Sequence, residues 1–389
     1  MTPAATLSVL RPGLLTTVQD LGRWGHQALG VPVAGAMDTR SLREANLLVG
    51  NPDAAAGLEV TLLGPTLRTD AAITAAMTGA DLEVRVDGQR VPVGRVFDVR
   101  PGGVLQIGGG PPGAGARAYL AIAGGVETPL VLGSRATHLV SRLGGVAGRA
   151  LMAGDTLPIG TPPRTPPRRG LVVAPAVPPP DGRLRVVLGP QDDWFAASTI
   201  ETFLSAAFTV SARSDRMGFR LEGPPLTASR RDELVSEPVA FGAIQVPSGG
   251  APILLMADRQ TAGGYPKIAT VIAADLPLAG QLAPGAAVRF TACTRAEARA
   301  ALIAREREVV RLLPEVVERR RPSSRRCGRR CRISSSRRTR RWRPSPRSRW
   351  ADRPTGSWNR HAARRWCASC NSRMRTACRS RCWAAVRTC

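Results

Sequence analysis

The residues best suited to chemistry lie between Ala251 and Lys267. An apolar run, Ala251-Pro-Ile-Leu-Leu-Met-Ala257, delivers Asp258-Arg-Gln260-Thr261-Ala-Gly263-Gly264-Tyr265-Pro266-Lys267. A strand end lets a rigid scaffold aim polar groups into a cleft. Paired glycines allow a bound group to approach the main chain and leave amides free for an oxyanion. In that arrangement Asp258 is a base or hydrogen-bond acceptor, and Gln260 and Thr261 are orienting donors. Lys267, the single lysine of the chain, is a cation for a carboxylate or phosphate. A glycine-rich hairpin with a capping aspartate accounts for the same residues about as well.

A second group sits near the start of the chain. Gln19-Asp20-Leu-Gly22-Arg23-Trp24-Gly25 sets an acid and an arginine on either side of a glycine, and Gly35-Ala-Met-Asp38 adds another acid. The pattern can present a carboxylate and a planar five-donor fork to a small polar ligand. Alternatively, Asp20 and Arg23 pair with each other in a surface turn.

The lone lysine excludes other chemistries. There is no Gly-Lys-Ser/Thr of a P-loop, no Ser-x-x-Lys acyl-transfer motif and no Met-Lys-Met turn to carry biotin. Gly108-Gly-Gly110-Pro-Pro-Gly113 matches a dinucleotide fingerprint formally. Its two prolines donate nothing, however, and a strand rather than a helix follows, so a turn is expected.

Strands must position these groups. From Leu7 to Ile159, short apolar runs alternate with Gly, Pro and Asp. Leu82, Val84 and Val86 alternate into Asp87-Gly88, the signature of a half-buried strand entering a tight turn. One helix is expected at Asp38 to Val49, capped by Asp38, with Leu42, Ala45, Leu48 and Val49 on one face. Residues 161–182 contain eight prolines and read as a linker or stiff surface excursion. The second half resumes with Leu184–Leu188, a helix near Asp193–Leu204, and further strands. A terminal helix is expected over Arg295–Leu313, opened by the Thr294/Glu297 capping box, striped by Ala298, Ala301, Leu302, Val309, Leu312 and Leu313, and stopped by Pro314. The expected domains are 1–160, a 161–182 linker, 183–314, and a separate tail over 321–389.

The net charge of +26 does not mark a nucleic-acid binder, because residues 321–389 carry 22 arginines against one acid, Asp352. The tail also holds all the cysteines except Cys293 and five tryptophans, with only Ile333 and Val386 among Leu, Ile, Val and Phe. It cannot bury a core and is expected to be disordered. Its Cys367-x-x-Cys370 and Cys378-x-x-x-Cys382 spacings resemble a zinc module, yet the surroundings lack the apolar residues such modules use. A GC-rich gene read out of frame produces this composition, and the other two reading frames of the nucleotide sequence test that hypothesis. With one cysteine in the body, no basic and apolar leader and no long apolar span, the chain is expected in the cytoplasm, without a membrane or nucleic-acid partner and without a metal site.

The motifs together resemble a known family. Gln19-Asp20-x-Gly22-Arg23, Gly35-Ala-Met-Asp38, Glu59, Ala123-Gly-Gly125 with Gly133-Ser134, Gly144-Gly145 to Gly154-Asp155, Asp215-Arg216-Met217-Gly218, Gly242-Ala-Ile-Gln245-Val-Pro247 and Gly263-Gly-Tyr-Pro266 occur in order. They are similar to the allophanate hydrolase subunit 2 family, which includes KipA-type proteins, over about residues 7–313. Ala262 departs from the threonine expected in the Gln-Thr-Thr-Gly-Gly-Tyr-Pro run.

The resemblance implies a mainly β fold: two cyclophilin-like β-barrel domains with a few short helices and a C-terminal helix. It implies a role as the C subunit of an ATP-dependent 5-oxoprolinase, inactive alone. Its partners would be a KipI-like B subunit together with a LamB/YcsF-like A subunit, and ATP would be bound jointly with them. The alternatives are the carboxyltransferase part of a biotin-dependent urea or amide carboxylase, with biotin on a partner, and a KipA-like regulator of a kinase inhibitor. Under the first reading Asp258, Lys267, Arg216 and Gln260 are the catalytic candidates. Asp20, Arg23, Asp38, Thr261, Gly263, Gly264, Tyr265 and Asp275 are the substrate-binding candidates.

Overall fold

Alternation of apolar and polar side chains builds the first half as two sheets. In Ala5–Arg11 the inward residues Leu7 and Val9 are buried while Thr6 and Ser8 are only half-buried, the period of a strand with one face on a core. The structure, a computed structural model, describes residues 5–179, 181–230 and 234–312. The 321–389 tail, with its expected disorder, cysteine spacings and out-of-frame reading, lies outside the described residues, as does the Pro314 helix stop.

One sheet runs in the order Thr156–Ile159, Ala5–Arg11, Thr66–Thr69, Val104–Ile107, Val84–Val86, Gln89–Val91. The other runs Leu15–Gln19, Gly57–Thr61, Arg117–Ile122, Ile73–Gly79, Val96–Val99. Their inner faces share a core that includes Leu7, Leu67 and Ile107 from the first sheet and Leu58, Met77 and Leu120 from the second. Each such burial contributes roughly 1.5–3 kcal/mol. Helix α1 (Thr39–Leu48) covers the outer face of the second sheet, packing Ala45 and Leu48 with Ala76 and Ala121. The central strand Arg117–Ile122 is therefore buried along its whole length.

Residues 161–179 form no helix or strand, as their prolines dictate. They are nonetheless strapped to the first half: Arg168 N donates to Leu48 O (2.7 Å), Val173 N to Gly94 O (2.9 Å) and Ala176 N to Gly79 O (2.8 Å).

The second half is a closed seven-stranded barrel in the order Arg183–Leu188, Lys267–Val271, Ala243–Gln245, Ile253–Leu255, Gly218–Glu222, Phe208–Val210, Ala287–Ala292. The last strand closes on the first in parallel. Phe203, Phe208 and Phe290 fill its core, with the Phe203 and Phe290 rings stacked 4.7 Å apart. The fold is mainly β, as expected.

Three elements differ from the sequence reading. The Ala251–Ala257 run yields a strand only over Ile253–Leu255: Pro252 supplies no amide at its start, and past its end Met256 N and Asp258 N donate to Met217 O (2.9 Å) and Arg216 O (2.8 Å). The helix near Asp193 divides into a 3-10 turn, Asp192–Trp194, and α2 (Ala197–Ser205), separated where Phe195 is extended. The terminal helix, α4 (Arg295–Val310) after α3 (Leu276–Gly280), has the expected reciprocal capping box. Among the described residues of its apolar stripe, however, only Val309 is fully buried, and Leu302 is exposed; Leu313 lies outside the described residues. The reason is its neighbour: α1 presents charge, and Arg43 and Arg40 pair with Glu306 (2.8 Å) and Glu308 (3.1 Å). Among the described residues no helix is long and apolar enough to cross a membrane.

The two halves interlock at Met37. This side chain, just before α1, is buried in the barrel's core rather than in that of its own half. Gly280 at the end of α3 permits the approach, since a Cβ there would lie 2.6 Å from Met37 O.

Candidate functional site

The centre of the interface between the halves is Arg216. It follows the Ser211–Asp215 turn of the barrel, where Asp215 Oδ1 accepts from Met217 N (2.8 Å) and sets the bend. Its Nε and Nη2 donate to the two oxygens of Asp258, each at 3.0 Å. Nη2 also reaches Gly35 O (2.6 Å), and Nη1 donates to Glu59 Oε1 of the first half. Burial pushes the Arg216 guanidinium down, but Asp258 and then Glu59 push it up further, so it stays charged above its ordinary value.

Glu59 is itself held. Met37 N donates to its Oε2 (2.9 Å), and so does the Tyr119 hydroxyl (2.8 Å). Tyr119 in turn accepts from Asp38 N (2.7 Å). Burial foremost, then Glu59 and Asp38, holds the Tyr119 phenol well above its ordinary value, which keeps it a donor. Asp38 caps α1 through Ser41 N (2.9 Å) and accepts from Gln281 of the barrel (2.8 Å). Its carboxyl is raised, chiefly by burial, against the opposing effect of Ser41 and Gln281.

Asp20 and Arg23 do not pair with each other. Asp20 accepts from Gly22 N (2.8 Å), Ser134 Oγ (2.7 Å) and Arg135 N (2.6 Å), while Arg23 Nη2 donates to Ala136 O. Both pin the 131–145 loop onto the first half. The crossing of their turn with the next requires glycine at Gly22 and Gly35, both at positive φ: a Cβ on Gly35 would fall 2.8 Å from Gly22 N, and one on Gly22 would fall 2.8 Å from Val33 O. Burial lowers the Arg23 guanidinium, partly offset by Asp20 and Asp258. Asp275 is engaged elsewhere, accepting from Arg185 Nη2 (2.6 Å) and Nε (3.0 Å).

The segment after Asp258 forms a second polar group. Ala262–Gly263 pairs antiparallel with Glu237–Pro238, placing Gly263 opposite Glu237 rather than in an open loop. Lys267 is buried with Nζ 2.6 Å from Glu237 Oε1, which also accepts from Gln191 (2.8 Å). The Lys267 hydrogen bond holds the Glu237 carboxyl below its ordinary value. Gln260 donates to Gln245 Oε1 (3.4 Å), and Gly263 lacks a Cβ where one would sit 2.6 Å from Gln245 Nε2. Gln260, Thr261, Gly263 and Gly264 are half-buried, and Tyr265 is 49% exposed.

Thus the structure joins Arg216 to Asp258, and separately gathers Gln260, Gly263 and Lys267. Asp258 is only 3% exposed, with both oxygens on Arg216. Two surface recesses, of about 390 and 520 Å³, are lined by residues such as Arg90 and Val93 and by Arg11 and Glu83, and share no residue with either group. Sequence reasoning did not single out Tyr119, Glu237 or Arg259. Tyr119 carried one signal, being one of two tyrosines and set in an apolar strand.

Comparison with known proteins agrees with this architecture. Residues 29–292 match the carboxyltransferase domain family, subdomains A and B. The chain is 39% identical over 294 residues to the C subunit of 5-oxoprolinase from Escherichia coli, covering 75% of this chain and 93% of that protein. To the protein of the same name from Haemophilus influenzae it is 36% identical, covering 72% and 89%. Urea amidolyase of Saccharomyces cerevisiae is 33% identical over 73% of this chain, which spans only 16% of that protein. The crystal structure of Kluyveromyces lactis urea carboxylase superposes with a TM-score of 0.75 at 30% identity, over 81% of this chain and 30% of that one. Sharing that barrel and that sequence across most of its body, the chain belongs to the carboxyltransferase domain family, subdomains A and B.

Proposed function

We propose that this chain is the C subunit of a heteromeric, cytoplasmic, ATP-dependent 5-oxoprolinase. The observation that carries the reading is length: the chain covers 93% of the C subunit of Escherichia coli 5-oxoprolinase but 16% of the yeast urea amidolyase. Two partners, one KipI-like and one LamB/YcsF-like, complete the enzyme and supply the ATP contacts that a chain without a P-loop lysine lacks.

The chemistry asks for activation of a lactam carbonyl, a poor electrophile. The γ-phosphoryl group of ATP transfers to the carbonyl oxygen and water adds at that carbon. The ring C–N bond then breaks with a proton passing to nitrogen, and a second water releases phosphate to leave glutamate and ADP. Developing charge on the oxygen is met by fixed donors, for which Gln260, Thr261 and the Gly263–Gly264 main chain are placed at an accessible rim. Asp258 and Arg216 serve as positioning residues. Their mutual saturation in a buried pair fixes the strand end from which that rim projects.

The test is co-expression with the partner proteins, supplying 5-oxoproline and ATP and measuring glutamate and ADP. Omission of this chain should abolish glutamate release. Release unchanged without it removes the chain from the reaction. The urea carboxylase likeness favours a second reading, carboxyl transfer from a biotinylated partner to urea, which co-purification of a biotinylated protein with this chain and urea- and bicarbonate-dependent ATP consumption by that complex would reveal.

A further inference from the structure

Two buried donors of the barrel, Lys267 Nζ and Gln245 Nε2, have no well-directed acceptor among the described residues. Lys267 is 4% exposed and Gln245 1%. They occupy paired positions: just past a bulge, Gln245 and Lys267 are direct partners across adjacent strands, which sets their Cβ atoms roughly 5 Å apart. Gln260 donates to Gln245 Oε1 (3.4 Å), so Nε2 is the end of that amide left free.

The two-stranded ribbon closes a ring around this pair. A Cβ on Gly263 would lie 2.6 Å from Gln245 Nε2 and 3.3 Å from Gln260 Nε2, so both amides face the space that the missing side chain leaves. Gly263 is the ladder partner of Glu237. Glu237 Oε1 in turn reaches Lys267 Nζ (2.6 Å), off the line of a good hydrogen bond, and accepts from Gln191 Nε2 (2.8 Å). The contacts thus run from Lys267 to Glu237, across the ribbon to Gly263, on to Gln245, and across the barrel ladder back to Lys267. The Glu237 side chain is 37% exposed, which opens the ring to solvent on that side.

A buried donor without an acceptor costs stability, and one carboxylate, with two acceptor oxygens, can serve an ammonium and an amide together. Glu237 brings the right chemistry but serves only half of it, since Gln245 Nε2 gains nothing from it. We infer that the space at Gly263 is the subsite for the carboxylate of the substrate, with Lys267 and Gln245 as its donors, and that Glu237 holds the place of that carboxylate until substrate displaces it. The inference rests on the 5-oxoprolinase reading for the identity of the substrate. 5-Oxoproline carries a carboxylate beside its ring nitrogen, whereas urea has none to offer. Gly263 also belongs to the rim that meets the lactam carbonyl, so neighbouring residues serve both polar ends of one small ring.

The experiment uses the full-length chain co-purified with its partner proteins. Binding of 5-oxoproline and of 2-pyrrolidinone, the same lactam without a carboxylate, is measured by calorimetry alongside steady-state turnover. The wild type should prefer 5-oxoproline. Glu237→Gln removes the competing carboxylate and should tighten 5-oxoproline by about fivefold, with 2-pyrrolidinone changed less than about twofold. Lys267→Met should weaken 5-oxoproline by about tenfold and 2-pyrrolidinone by less than about threefold. Gly263→Ala keeps every charge and is not at positive φ, yet its methyl group fills the space, so it should also remove the preference. A Glu237→Gln that weakens 5-oxoproline or leaves it unchanged overturns the place-holding role, because a purely structural ion pair predicts that result. A preference that survives Lys267→Met or Gly263→Ala overturns the subsite. Preference without turnover rejects the hydrolase reading and retains the subsite. Turnover without preference does the reverse, and binding of neither ligand rejects both.

Discussion

Arg216 of the barrel donates to Glu59 of the first half, 157 positions earlier in the chain, and both are buried. This contact ties the strand end bearing Asp258 to the opposite half of the molecule. Removing one member of a buried ionic group leaves its partner uncompensated, at a cost of roughly 3–5 kcal/mol. Glu59→Ala should therefore lower the urea midpoint by an amount corresponding to about 3 kcal/mol with an unchanged m-value. A shift below about 1 kcal/mol would show that Asp258 alone satisfies Arg216.

Tyr119 links Glu59 to the Asp38 amide through one hydroxyl. Tyr119→Phe keeps the ring and strands both partners, so a loss of about 1–3 kcal/mol is expected by denaturant unfolding. An unchanged midpoint would mean that water replaces the hydroxyl.

Gly280→Ala places a methyl group 2.6 Å from Met37 O, against backbone that cannot rotate away. Destabilisation of roughly 1–3 kcal/mol is expected, read as a lowered thermal midpoint. Serine at the same position should cost no less. A neutral Gly280→Ala would show that α3 is free to shift.

Arg259 is buried, forms no ion pair among the described residues, lies over the Phe241 ring and donates from Nε to Val239 O (3.1 Å). Its burial without a counter-charge disfavours the charged form, so the free chain should be stabilised by Arg259→Met, by no more than about 1 kcal/mol once the lost contact with Phe241 and the lost hydrogen bond to Val239 O are deducted. Thermal unfolding without ligand measures this, and a lower midpoint for the variant would contradict it.

Asp155 sets an acid limit. Its carboxyl is held below the ordinary aspartate range, first by hydrogen bonds from Arg149 and then by Met152 N. A depressed folded-state value means that the contribution is complete above the unfolded aspartate range, near pH 4, and is lost as pH falls through the lower folded value. Asp155→Asn should therefore flatten the stability profile below about pH 4 and lower it above. Parallel profiles for variant and wild type would remove Asp155 from the acid limb.

Much of the local structure was legible in one dimension. Strand alternation, the Asp38 cap, the Thr294/Glu297 box and the Asp87-Gly88 turn all depend on neighbours within a few residues, where periods of 2 and 3.6 report directly on burial. The motif order marked Arg216, the strand end after Ala251 marked Asp258 and Gln260, and the lone lysine excluded whole classes of chemistry. Which polar groups share a buried space is a different kind of fact. That Glu59 and Asp258 meet on one guanidinium follows from how the first half docks on the barrel around Met37, and that Lys267 lies against Glu237 follows from how the ribbon folds back within the barrel half. Charge satisfaction depends on distance in space, and a linear pattern records only distance along the chain.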